Sequence, residues 1–61
     1  MKTITTSEQI RIELVRKGIT QAELAESLNL TPGAISYKIR DNIWKPVEIF
    51  YMKNKLGFDL E

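Results

Sequence analysis

The sequence has no cysteine and no histidine. Disulfide staples, thiolate and imidazole metal sites, and Ser-His or Cys-His catalysis are therefore all excluded. Glycine and proline are scarce, at three and two residues, so each one marks a specific place in the chain. No apolar run approaches the ~20 residues that a membrane-spanning helix needs. The N-terminal stretch Met-Lys-Thr-Ile-Thr-Thr-Ser-Glu-Gln lacks the apolar centre of a signal peptide. A reduced, cytoplasmic protein is expected. Charge of one sign is also missing: nine Lys and Arg stand against eight Asp and Glu, for a net charge of +1. A case for a polyanionic partner must therefore rest on where the charges sit rather than on their sum.

What is present is enough for one small core. With 61 residues, 43% of them hydrophobic, the chain makes a single domain over 1–61 rather than a disordered segment. A chain this short buries only roughly 60% of its unfolded surface, so its stability margin is thin.

Helical segments follow one another, separated by one-residue signals. The first spans about 7–17: Thr5, Thr6 or Ser7 caps it, with Glu8 and Gln9 placed to reach back, and Gly18 supplies a left-handed stop. Ile10 and Leu14 face the core, while Ile12 and Val15 lie on another face. A second helix opens on the capping box Thr20 to Glu23, with Leu24, Ala25 and Leu28 as its apolar stripe. The two or three residues before Pro32 allow only a sharp turn, and Asn29 is the residue there best able to take positive φ.

The third helix begins with what look like two breakers. With Thr31 as N-cap, however, Pro32 becomes the first helical residue, where it forfeits no hydrogen bond and its φ is preset. Gly33 then leaves the helix end bare, so that backbone N–H groups can approach phosphates or base edges. A last helix runs from Pro46 to a C-terminal stop at Gly57, with Ile49, Met52 or Lys53, and Leu56 inward. Trp44 is expected to close the core as a lid. Phe58 reads as an anchor, and Asp59 as the cap of a further helix.

The stretch Gly-Ile-Thr-Gln-Ala-Glu-Leu-Ala-Glu-Ser-Leu-Asn-Leu-Thr-Pro-Gly-Ala-Ile-Ser, with Gln21, Ala25, Asn29, Leu30 and Ile35 in order, resembles the lambda-repressor-like (XRE) family, phage Cro proteins included. The resemblance covers about residues 7 to 58. It implies an all-α domain of four to five helices, with a helix-turn-helix over about 20–40. The family usually has Gly where this chain has Asn29. Lys38 stands where many members carry an aliphatic residue, with Ile39 one place later, as is more usual in Cro proteins.

If Ile35 and Ile39 face inward, the outward face of the third helix carries Gly33, Ser36, Tyr37 and Arg40, with Thr31 and Pro32 at its tip. Ser36 can bond several base edges, Tyr37 offers a ring to a thymine methyl and a hydroxyl, and Arg40 suits a guanine or a phosphate. The resemblance implies that Gln21 holds a phosphate and that Asn42 and Lys45 clamp the DNA backbone. Lys38 is a further phosphate candidate.

The expected function is a sequence-specific regulator, a phage or bacterial repressor that binds a double-stranded DNA operator as a weak homodimer. The homodimer is expected because Ile12, Val15, Phe50 and Tyr51 are surplus to the core. The alternatives are a protein-interaction module, which the small net charge and the absence of the family's Gln side chains at Pro32 and Gly33 allow, and an antitoxin or controller protein on the same scaffold. No catalytic motif, cofactor, metal, membrane or small-molecule substrate is implied: Glu23 and Glu26 share a helix face, but without a nucleophile or a burying environment they are solvated charges.

Overall fold

The structure is a computed structural model, described over residues 4–60. Residues 1–3, the start of the stretch read above as no leader, and Glu61 lie outside the described residues. Four helices follow in order: α1 (Thr6–Lys17), α2 (Gln21–Ser27), α3 (Pro32–Asp41) and α4 (Pro46–Asn54). The described residues contain no β-strand.

Local chemistry sets most of these boundaries. Thr5 caps α1: its hydroxyl accepts the Glu8 N–H while the Glu8 carboxylate accepts the Thr5 N–H. Thr20 and Glu23 repeat the exchange on α2. Thr31 accepts the Ala34 N–H at 3.1 Å, which makes Pro32 the first residue of α3. Left-handed residues close three of the helices: Gly18 (φ 66°) ends α1, Asn29 (φ 61°) follows α2 and Asn42 (φ 54°) ends α3. In each case the next N–H returns to a carbonyl five residues back, Ile19 to Leu14, Leu30 to Ala25 and Ile43 to Lys38. These bonds satisfy carbonyls that the helix itself leaves without donors.

α2 packs chiefly on α3, and α1 also meets α3. The core consists of Ile10, Leu14, Leu24, Ala25, Ile35, Met52, Phe58 and Leu60. Ala25 is wholly buried, and the 2.7 Å bond from Leu30 N–H to its carbonyl draws the turn tightly over it. A methyl is the side chain that lets α2 and α3 approach so closely. Ile19, Leu28, Leu30, Ile39, Trp44, Ile49 and Leu56 pack around this centre.

Three expectations need correction. α4 stops at Asn54 instead of running to Gly57; Gly57 still takes the left-handed conformation (φ 73°), in the turn that lets the Phe58 N–H reach the Met52 carbonyl at 3.0 Å. Asp59 caps no helix within the described residues, and the tail instead buries Leu60 as a second anchor beside Phe58. Tyr51 is half-buried rather than surplus, whereas Val47 and Ile43 are exposed alongside Phe50.

A polar joint fastens α1 to the far end of α3. Ser7 is buried within the first turn of α1 and caps nothing. Its N–H donates to Asn42 Oδ1 at 3.0 Å, its hydroxyl lies within reach of Asn42 Oδ1 (3.0 Å) and the Lys38 carbonyl (3.3 Å), and it accepts the Trp44 indole N–H at 2.9 Å. A half-buried indole favours such an acceptor, and one serine supplies it while bonding Asn42 in its left-handed turn.

Ala25→Leu should destabilise the domain by about 1–3 kcal/mol, because the added atoms force α2 from α3; an unchanged melting temperature would contradict the close crossing. Ser7→Ala should cost about 1–3 kcal/mol by leaving the indole N–H without a partner. Ser7→Ala combined with Trp44→Phe should cost less than the sum of the two single changes, as measured by urea unfolding of all four chains. Additive costs would show that the two side chains are not coupled.

Candidate nucleic-acid interface

The face of α3 turned away from the core is set by two isoleucines. Ile35 is fully buried and Ile39, four residues on, is half-buried against the core. The opposite side of the helix is thereby fixed, and Thr31, Pro32, Gly33, Ser36, Tyr37 and Arg40 all emerge on exposed surface. At Gly33 an added Cβ would meet no atom within 4 Å, so packing inside the chain does not call for glycine. Its effect is to leave the first turn of α3 bare. The Thr31 hydroxyl oxygen is occupied by the Ala34 N–H, but its own proton remains available to an outside acceptor.

Tyr37 and Arg40 form one unit. They are three residues apart on the helix, and the guanidinium carbon of Arg40 lies 5.3 Å from the centre of the Tyr37 ring. Arg40 Nε–H also donates to Asp41 Oδ1 at 3.2 Å.

Two residues read as phosphate contacts have partners within the chain. The Lys38 ammonium lies 3.1 Å from Glu48 Oε2, and the two side chains are only 13% and 11% exposed. Glu48 Oε1 also accepts the Lys45 N–H at 2.9 Å, so one carboxylate ties α3 to α4 and caps the start of α4. Lys38 is thus held at the α3–α4 boundary and is not offered to solvent, which is why a lysine is accommodated beside Ile39. Asn42 is exposed as a residue, but its side-chain oxygen is committed to Ser7. Only its amide nitrogen is left to donate outward.

Gln21 and Lys45 are exposed, Gln21 in the first turn of α2 and Lys45 immediately before α4. The structure therefore brings Thr31, Pro32, Gly33, Ser36, Tyr37 and Arg40 onto one helix face, with Gln21 and Lys45 on flanking elements. Ser7, which holds the C-terminal end of that helix, was read from sequence only as a possible cap of the first helix. The available signal was Trp44, whose N–H requires an acceptor somewhere in the core.

Acidic groups are largely engaged elsewhere. Glu13 is buried and paired with Arg16 at 3.2 Å and Lys17 at 3.8 Å, and Glu8 and Glu23 sit in capping boxes. Asp41 is the acid nearest the open face along α3.

Residues 14–41 match a family model described as winged helix-turn-helix DNA-binding. The match runs from the second half of α1 through α2 and the Asn29 turn to the end of α3. It rests on helices alone, since the described residues contain no strand from which a wing could be built. No curated protein and no solved structure matches the chain. The match covers the same α2–turn–α3 unit that the geometry defines: this small all-helical domain carries a helix-turn-helix.

Proposed function

We propose that the chain is a sequence-specific, double-stranded DNA-binding transcriptional regulator, a repressor of the XRE or Cro kind from a phage or bacterium, which enters the major groove with α3. The observation that carries this reading is the exposed face Thr31–Gly33–Ser36–Tyr37–Arg40, which no other part of the described chain covers. The match of residues 14–41 to a DNA-binding helix-turn-helix model supports it. Ser36, Tyr37 and Arg40 supply donors, an acceptor and an apolar ring for base edges, while Gln21 and Lys45 are placed to hold phosphates on either side.

A weak homodimer accompanies this reading. Val47 and Phe50 lie one turn apart on α4 and are 66% and 65% exposed, and Ile43, 47% exposed, stands in the link just before that helix. Phe50 also borders a groove lined by Trp44, Ile49, Phe58 and Leu60, with Lys53 and Asp59 on its rim. α4 and the segments that flank it thus present exposed apolar side chains beside a groove that carries charges of both signs, a combination that a self-complementary two-fold interface between identical chains can use. Two half-sites about one helical turn apart would follow. Sedimentation should show association that grows with concentration, and a site selected from random DNA should have a dyad. A monomer at every concentration together with an asymmetric site would refute the dimer.

Affinity for random duplex should fall steeply with salt as counterions are released. A flat response would instead favour a protein-interaction module, a reading to which the net charge of +1 lends some weight. Lys45→Ala should weaken all duplexes alike and flatten the slope of log affinity against log salt by about one unit. Lys38→Met should leave that slope unchanged, because its ammonium is already paired with Glu48. Equal flattening by both would show that Lys38 leaves Glu48 to reach the DNA.

A further inference from the structure

Arg40 is the last basic residue on the open face of α3, and its side chain is 72% exposed. A guanidinium so exposed has no packing to hold it, yet it is restrained in two ways. Its central carbon lies over the Tyr37 ring, 5.3 Å from the ring centre, and the Asp41 carboxylate takes the Nε–H at 3.2 Å. Arginine has five N–H donors in a planar fork. Asp41 takes Nε, which leaves the two terminal nitrogens, Nη1 and Nη2, as the donors for a partner. The ring and the carboxylate together favour one placement of the guanidinium before any partner arrives.

The free end is a pair of parallel donors, which matches the two acceptors, O6 and N7, that guanine shows in the major groove. It matches a phosphate less well here. A side chain that serves only to neutralise the DNA backbone gains nothing from an adjacent carboxylate, which cancels its charge and is itself repelled by phosphate. Asp41 is therefore hard to explain beside a phosphate-binding arginine and easy to explain beside a base-reading one.

We infer that Arg40 reads a guanine through Nη1 and Nη2, and that Tyr37 and Asp41 are positioning residues that aim it, Asp41 also suppressing adhesion to random DNA. The inference rests on the DNA-binding reading above and adds the identity of a base and the source of discrimination.

The test selects the preferred site of the unaltered protein from a random duplex library. Binding of Arg40→Ala, Asp41→Asn and Asp41→Glu is then measured on that site, on single-base variants of it, and on random duplex. The unaltered protein should prefer guanine at one position of each half-site by about 10- to 100-fold. Arg40→Ala should erase that preference and leave the other positions intact. Asp41→Asn should reduce the guanine preference several-fold while tightening random duplex, and Asp41→Glu, which restores the charge, should recover part of it. A site in which no guanine preference depends on Arg40 overturns the proposal, as does tightening of best and random duplex by the same factor in Asp41→Asn. A protein that selects no site at all defeats the DNA-binding reading itself, and that result appears in the first arm, before any variant is compared.

Discussion

One buried hydroxyl fixes the helix on which the rest depends. Ser7 joins the first turn of α1 to the last turn of α3 and to Trp44, through bonds of 2.9–3.3 Å that together engage its N–H and its hydroxyl. With eight buried apolar side chains among the described residues, packing alone gives a short helix limited resistance to rolling or tilting. At its N-terminal end α3 is held by the tight turn over Ala25 and by Ile35. At its C-terminal end the constraint is polar: the Ser7–Asn42 joint on one side and the Lys38–Glu48 pair on the other. Buried polar groups of this kind add little net stability when satisfied but are costly to break, so they specify one arrangement over its neighbours.

That arrangement divides the residues of α3 by role. Ile35 and Ile39 face the core, Lys38 spans the boundary to α4, and Ser36, Tyr37 and Arg40 face outward. The near-zero net charge is misleading, because it averages over groups with different tasks. Glu13 is folded against Arg16 and Lys17, Glu48 against Lys38, and Glu8 and Glu23 sit at helix starts, where negative charge meets the positive end of the helix dipole. Lys45 and Arg40 remain exposed around the open face, and Asp41 attends Arg40 directly.

Much of this was legible in the sequence wherever the physics is local. Capping boxes act over three residues, a left-handed stop is set by one, and a proline at the first helical position follows from its own ring; Thr20, Asn29, Gly18 and Pro32 all behave accordingly. The helix-turn-helix itself was readable because Ala25, Leu30 and Ile35 make their contacts across a short turn. What was not readable is long-range. The partners of Ser7 lie 31 to 37 residues away, and nothing near Ser7 distinguishes a joint from a cap. Lys38 looks like any surface lysine until α4 brings Glu48 beside it. Leu60 and the early end of α4 depend on the tail folding back over Met52, which is decided by the space left in the core rather than by a residue pattern.

The most direct test of the central claim, that α3 so held is the surface that meets DNA, is a titration of the isotopically labelled chain with its selected duplex, followed by amide NMR shifts. The amides of Gln21, Gly33, Ser36, Tyr37, Arg40 and Lys45 should shift most, while those of Val47, Phe50 and Lys53 on α4 should respond to protein concentration and not to added duplex. Shifts on addition of duplex that fall on α4 and leave α3 unchanged would contradict the claim.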